Sequence, residues 1–184
     1  MGKINVAVLR GGPSAEYEIS LQTGASVLAA LAKEKYKPFD IFISKDGLWH
    51  YLGKPIKPEN IFRRVDVIFN AMHGEYGEDG EAQKIFETYK VPYTGSQVLA
   101  SRLAIRKDLA REAFKNAGLK IAPAIKITWL DDPERAAAKA IAKIGPPLVV
   151  KPAGRGSSVG IHFAGNFPEL IKAIENTLKF DSNI

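Results

Sequence analysis

The first hundred residues alternate between two periods of apolar positions. Short runs rich in β-branched and aromatic residues at 4–10, 39–45 and 65–72 have the length and composition of buried strands. Residues 20–35 instead place Leu21, Ala25 and Leu28 three or four positions apart, which predicts a helix. Strands that alternate with helices form parallel sheets covered on both faces, so we expect a Rossmann-like α/β domain.

Smaller elements fill the rest of this half. The Asp46-Gly47 dipeptide predicts a hairpin turn at the start of residues 46–61. Residues 78–90 carry acids first and a lysine near the end, as the helix dipole favours. Residues 91–96 are predicted to form a short strand followed by a turn.

After about residue 104 the order of elements changes. We predict helices at 104–118, 132–145 and 167–179, the first two ended by Gly118 and Gly145. Strands are predicted at 124–128, 148–151 and 159–164. This α+β pattern suggests a second domain, so the predicted division is 1–103 and 104–184.

Composition narrows the function classes. The 184 residues include no cysteine and three scattered histidines, so disulfides and thiolate metal sites are excluded and any metal would need oxygen ligands. The chain shows no apolar run of membrane-spanning length and no charged-then-apolar leader, which predicts a cytoplasmic protein.

The net charge of +6 is unevenly distributed. Residues 1–103 hold 13 Lys and Arg against 12 Asp and Glu, whereas residues 104–184 hold 13 against 8. The basic half lacks the aromatic-rich strands of RNA-binding domains. A small anion such as a nucleoside triphosphate therefore fits better than a nucleic acid.

Two loops follow apolar strands in the first half, where open parallel sheets bind ligands. Residues 10–20 place two glycines after a strand and Glu16 before a helix, without the G-x-G-x-x-G dinucleotide pattern, and a plain tight turn is the alternative. Residues 70–80 place His73 among glycines and acids, where it could donate to a carboxylate or a developing oxyanion. The alternative is ordinary turn and helix N-terminal chemistry.

A third loop, at 151–160, follows the strand at 148–151. Its glycines and serines offer consecutive backbone N–H groups that can wrap phosphate oxygens, and Lys151 adds a positive charge. The lysine precedes the glycines, so this is not a P-loop. A surface linker is the alternative.

Five segments together are strongly similar to one family: "GGPSAEYEIS", "HGEYGEDGEAQ", "VPYTGS", "RKDLAREAFKNAGLKIAP" and "VVKPAGRGSSVG". In order and spacing they resemble D-alanine:D-alanine ligase, an ATP-grasp enzyme of peptidoglycan precursor synthesis. The resemblance covers essentially the whole chain. It implies a pre-ATP-grasp domain of Rossmann-like type, followed by the first α+β half of an ATP-grasp domain.

The resemblance also implies catalytic roles for three residues. Glu16 matches the glutamate that holds the ammonium of the first D-alanine. His73 matches the histidine beside that substrate's carboxylate and the acyl phosphate made from it. Ser157 matches the loop serine that ties Glu16 and the ligand site to the loop.

Nucleotide binding is implied for a further set. Lys107 and Lys151 match two lysines that contact ATP phosphates, while Gly156, Ser157 and Ser158 would let the loop fold over the γ-phosphate. The implied chemistry is phosphorylation of one D-alanine carboxylate, attack by a second D-alanine's amine, and expulsion of phosphate. The resemblance further implies ATP and Mg²⁺ as cofactors and a homodimer.

The chain departs from the family pattern at its end, "KFDSNI". The family's second ATP-grasp half, with its magnesium ligands, lid and oxyanion-stabilising arginine, has no counterpart in the 184 residues. We therefore expect the N-terminal part of a ligase, inactive or nearly so by itself and without metal ligands of its own. The alternatives are another ATP-grasp ligase of the D-alanyl-D-lactate type, a non-catalytic amino-acid-binding module and, least favoured, a nucleic-acid binder.

Overall fold

The computed structural model of the protein describes residues 2–156 and 159–184. The chain divides into two compact units, Met1–Arg102 and Leu103–Ile184. The division lies one residue from the one expected from the sequence. The assignment of the two units to a substrate-binding domain and a first ATP-grasp subdomain stays a prediction.

The first unit is built on a five-stranded sheet with the order β4-β3-β2-β1-β5. Strand β1 pairs in parallel with both β2 and β5, and β3 and β4 extend the sheet as antiparallel strands. The elements, in chain order, are β1 (Ile4–Gly11), α1 (Tyr17–Ala30), β2 (Tyr36–Ile43), β3 (Trp49–Tyr51), β4 (Lys54–Pro55), α2 (Pro58–Phe62), β5 (Val67–Asn70) and α3 (Glu81–Thr88). The next helix, α4 (Val98–Ile105), includes the division after Arg102.

Both faces of this sheet are covered, as the sequence predicts. In β1, Ala7 and Leu9 point into a core completed by α2 and α3, whose Phe62 and Phe86 are buried there. The alternate residues Val6 and Val8 point to the opposite face, where α1 packs on them. Consecutive side chains of a strand point to opposite faces of the sheet, so an apolar run such as β1 has buried side chains on both faces.

Helix α1 begins and ends earlier than the predicted span of 20–35. It starts at Tyr17, because the turn after β1 closes quickly and the Tyr17 N–H donates to Ser14 O at 3.2 Å. It ends at Ala30, where Leu31 takes an extended backbone and packs against the core on the α1 face of the sheet. The predicted strand at 91–96 is reduced to one parallel bridge between Tyr93 and Ile68.

The second unit has a two-stranded antiparallel sheet packed against two helices. Alanines of α6 and the buried face of α7, including Leu170 and Ile174, form its core with the hairpin. Its elements are α5 (Lys107–Asn116), α6 (Pro133–Lys143), β6 (Leu148–Val150), β7 (His162–Ala164) and α7 (Phe167–Leu178). Gly118 and Gly145 follow α5 and α6 with φ of +76° and +83°, which confirms both predicted helix ends.

Two predictions for this half are wrong. The helix expected at 104–118 is interrupted, since Arg106 has an extended backbone and the Lys107 N–H donates to Ala153 O at 2.8 Å instead of continuing α4. The strand expected at 124–128 does not form a ladder. Ile127 exchanges two backbone hydrogen bonds with Ile184, and Thr128 forms a single antiparallel bridge with Asn183.

Candidate functional site

The loop after β1 turns sharply at two glycines. Gly11 and Gly12 have φ of +91° and +99°. A Cβ on Gly11 would lie 2.1 Å from the carbonyl oxygen of Ile43, so a side chain is sterically excluded there. The Gly12 N–H donates to the same Ile43 oxygen at 2.8 Å, which holds the loop against the end of β2.

Glu16 is presented at the end of this loop. Its backbone N–H donates to the Oγ of Ser14 at 2.9 Å, and Ser14 is buried. Its carboxylate faces the loop after β5, since a Cβ built on Gly74 would come 2.7 Å from Glu16 Oε2. The structure therefore brings Glu16 beside the residue that follows His73, at the carboxyl ends of two adjacent parallel strands.

Ser20 joins the same two strand ends from inside the fold. Its fully buried Oγ accepts from the Gly11 N–H at 2.8 Å and donates to the Ala71 carbonyl at 2.9 Å. Ser20 was not among the site residues predicted from the sequence. It could have been found from its position, because a serine in the first turns of a helix that follows a glycine turn can form hydrogen bonds to nearby backbone groups.

His73 lies between helix α1 and its own loop. Its Nε2 is 2.9 Å from the Oγ1 of Thr23, and its Nδ1 is 3.9 Å from Glu78 Oε1. The imidazole is 30% exposed. The other carboxylate oxygen of Glu78 accepts from the Gly74 N–H at 2.8 Å, so Glu78 shapes the loop as well as facing the ring.

Asn70 and Asp79 of this loop, together with Gln83, bond to the backbone, as the alternative interpretation expected, and Glu75 is exposed. Asp79 accepts from the N–H of Tyr76 at 2.8 Å and of Glu81 at 3.0 Å. The Gly77 carbonyl accepts from the side-chain amides of Asn70 and Gln83, each at 2.7 Å. These contacts hold the loop's shape and leave Glu16 and His73 as the groups with chemistry to offer.

In the second unit, Lys107 and Lys151 lie close enough to affect each other. Burial, followed by the positive charge of Lys151, lowers the pKa of Lys107, and Asp181 opposes this in part. The Lys107 ammonium donates to the Arg155 carbonyl. Two lysine charges held near each other favour an anion as the partner that relieves their repulsion.

The C-terminal segment holds the stem of the loop that follows β6. Asp181 accepts from the Gly154 N–H at 2.7 Å, and the Ala153 N–H donates to the Asn183 carbonyl at 2.8 Å. The predicted phosphate-loop residue Gly156 accepts from the Val159 N–H at 3.3 Å. Ser157 and Ser158, also predicted for this loop, lie outside the described residues.

Residues 2–156 and 159–184 contain no group of three or more His, Asp or Glu side chains placed to hold a metal ion. No helix in these ranges combines the length and apolar character needed to cross a bilayer.

Comparison with known families matches both units. Residues 5–61 and 52–96 match the family described as D-ala D-ala ligase N-terminus, and residues 113–184 match D-ala D-ala ligase C-terminus. The D-alanine–D-alanine ligase of Chloroherpeton thalassium is 36% identical over an alignment 219 positions long, gaps included, that covers 98% of this chain and 60% of that protein.

Solved structures agree with this match. The VanG D-Ala:D-Ser ligase from Enterococcus faecalis superimposes with a TM-score of 0.83 at 31% identity, over 99% of this chain and 61% of the ligase. The D-alanine-D-alanine ligase from Coxiella burnetii gives 0.87 at 26% identity, over 98% and 62%. The chain thus spans about 60% of the length of its curated relatives.

Fold and comparisons together define a protein of the ATP-grasp class. Within that class, the chain belongs to the D-alanine–D-alanine ligase family.

Proposed function

We propose that this chain forms the D-alanine-binding part and the first nucleotide-binding part of an ATP-dependent D-alanine:D-alanine ligase of peptidoglycan synthesis. The observation that carries the proposal is the meeting of Glu16 with the His73-Gly74 segment at the carboxyl edge of the parallel sheet. Ligands of open parallel sheets bind at this edge. The Glu16 carboxylate and the His73 imidazole at this edge also suit the ammonium and carboxylate groups of an amino acid.

The amino acid would be held by its charges. The Glu16 carboxylate would accept from the substrate ammonium, and the His73 imidazole would donate to its carboxylate. Both groups are partly shielded from water, which strengthens such contacts relative to exposed ones. His73 would remain beside the same carboxyl carbon as it is activated and attacked.

The nucleotide would be held in the second unit. Lys107 and Lys151 fit a polyphosphate, because an anion between them would relieve their mutual repulsion, which adds to burial in lowering the pKa of Lys107. Gly156, Ser157 and Ser158 would supply the loop over the terminal phosphate. When bound, ATP supplies the phosphoryl group that makes the D-alanine carboxyl group electrophilic. The lysines would orient it and neutralise its charge.

Three further features belong to this proposal. Mg²⁺ accompanies ATP in this chemistry, and we assign it no ligands among the described residues. The whole enzyme would act in the cytoplasm, where D-alanine and ATP are both available. It would work as a homodimer.

Calorimetry with D-alanine tests the amino-acid site. We expect binding of millimolar strength or tighter, weakened about tenfold or more in Glu16→Gln because a charge-assisted hydrogen bond is lost. Glu18→Gln is the matched control, since Glu18 is exposed on α1 two residues away. Equal affinity of the two variants, or no D-alanine binding by the chain, would contradict the assignment.

Nucleotide titration separates the ligase from a stand-alone amino-acid-binding module. Under our proposal ATP binds and Lys107→Met and Lys151→Met each weaken it, while Lys120→Met, at an exposed position, does not. D-alanine binding without any nucleotide binding would instead support the module.

A further inference from the structure

Thr23 is placed to control the protonation pattern of His73. Its Oγ1 lies 2.9 Å from His73 Nε2, across from helix α1 to the loop after β5. Neither the family match nor the sequence motifs give this threonine a role. It sits seven residues after Glu16, two turns along the helix that Glu16 precedes.

The hydroxyl proton of Thr23 already has an acceptor. Thr23 Oγ1 donates to the carbonyl oxygen of Ile19 at 3.0 Å, the residue one helical turn earlier. A threonine hydroxyl has a single proton, so with that proton committed the oxygen can only accept from a neighbour. The partner at 2.9 Å is the His73 ring, and its Nε2 must then carry the hydrogen.

The other ring nitrogen faces a different environment. Nδ1 lies 3.9 Å from Glu78 Oε1, too far for a hydrogen bond, and Glu78 is already engaged through its other oxygen with the Gly74 N–H. Glu16 also lies against this segment, at Gly74, and the neighbouring Glu75 is exposed. Nδ1 is therefore the nitrogen without a fixed hydrogen-bond partner among the described residues.

We propose that Thr23 is a positioning residue that fixes neutral His73 as the Nε2–H tautomer, so that Nδ1 is the ring nitrogen that is offered to a ligand. A histidine's tautomer is set by the hydrogen bond that its other nitrogen makes. Donation from Nδ1 to a D-alanine carboxylate requires a second ring proton on that nitrogen, and this use of Nδ1 rests on the proposed function. The tautomer and its cause do not.

Nitrogen-15 NMR of the chain, without any ligand, tests the tautomer. Long-range proton–nitrogen correlations recorded at a pH where the imidazole is neutral distinguish a protonated from a bare ring nitrogen. Three histidines are present, and His73→Gln identifies the signals of His73. We expect Nε2 protonated and Nδ1 bare in the wild type. A protonated Nδ1 with bare Nε2 would overturn the proposal, since Thr23 would then be the donor.

Variants test whether Thr23 is the cause. Thr23→Val keeps the shape but removes the acceptor, and we expect the Nε2 proton to exchange with water roughly fivefold faster. Thr23→Ser keeps the hydroxyl and should restore slow exchange. Thr88→Val is the matched control, because Thr88 makes the same bond to the residue four positions earlier, at 2.8 Å, and has no hydrogen bond to a histidine among the described residues.

Each outcome bears on one claim only. Unchanged Nε2 proton exchange in Thr23→Val, or a serine variant that behaves like the valine variant, refutes the role of the hydroxyl even if D-alanine binds. A fixed Nε2–H tautomer in a chain that does not bind D-alanine would refute the proposed function and leave the role of Thr23 standing.

Discussion

The carboxylate of Glu16 lies against the backbone of Gly74, so closely that a Cβ on Gly74 would come 2.7 Å from Glu16 Oε2. Gly74 also has a φ of +67°, a conformation that L-residues with side chains avoid. Two constraints of different origin thus act on one residue. The steric constraint comes from the position of the Glu16 carboxylate, whereas the constraint on the backbone conformation of Gly74 is independent of Glu16.

Gly74→Ala should therefore weaken D-alanine binding by about tenfold, because Glu16 has to move from its place. It should also destabilise the fold by about 1–2 kcal/mol through the left-handed backbone. Gly53→Ala separates the two effects, since Gly53 has a φ of +74° with nothing within 4 Å of a Cβ. Calorimetry measures the D-alanine affinity, and urea unfolding measures the free energy of unfolding. Equal D-alanine affinity in the two variants would show that Glu16 is not tied to this backbone.

Removal of the Ser20 hydroxyl should cost about 1–3 kcal/mol of unfolding free energy. Ser20→Ala leaves the Gly11 N–H and the Ala71 carbonyl without their buried partner, and unsatisfied buried groups carry their full desolvation cost. Ser26→Ala on the same helix removes an exposed hydroxyl that donates to the Gln22 carbonyl, within its own helix, at 3.0 Å. Urea unfolding should show the Ser26 variant within about 0.5 kcal/mol of wild type. Similar losses for both variants would contradict the bridging role.

The sequence predicted the parallel sheet and the loops that carry Glu16 and His73, because strand composition and the positions of glycines depend on the local backbone conformation. It did not predict Ser20 or Thr23. Their importance arises from partners 51 and 50 residues away, and no local pattern records such distances. Both do lie on one face of α1, three residues apart, which is the helical spacing that a polar inward face would show.

The errors in the second half have the same origin. Arg106 has an ordinary helical neighbourhood in sequence, yet the Lys107 N–H is taken by Ala153, 46 positions away in the chain. Residues 124–128 have strand composition, but within the described ranges they pair only with residues 183–184. Composition indicates that a segment can pair. The partner and the length of the pairing are set by tertiary structure.

Gly24→Ala should destabilise the protein, against the usual preference for alanine inside a helix. That preference favours alanine by about 1 kcal/mol. A Cβ on Gly24, however, would lie 2.6 Å from both Cβ and Cδ of Arg10, whose guanidinium is held by Asp40 at 2.7 Å. Overpacking of this kind costs about 1–3 kcal/mol. Thermal unfolding should show a lower midpoint than wild type, and a higher one would mean that α1 shifts freely.

Asp108 should make the free energy of unfolding of the second unit depend on pH. Burial alone would raise its pKa, but hydrogen bonds from Lys126 and Arg106 lower the pKa of Asp108 to about 2. A carboxylate with a lowered pKa stabilises the fold above its unfolded value of 3.8, and this contribution disappears as the pH falls toward 2. Because Lys126 and Arg106 are half to a third exposed, we expect about 1–2 kcal/mol at neutral pH.

Urea unfolding of Asp108→Asn across pH 2–7 checks this expectation. The variant should be less stable than wild type at pH 7, and the difference should shrink between about pH 4 and pH 2 as the wild-type carboxylate takes up its proton. Glu112→Gln, an exposed change on the same helix, should differ little from wild type over the whole range. A difference between Asp108→Asn and wild type that stays constant down to pH 2 would show that packing, not the charge of Asp108, accounts for its contribution.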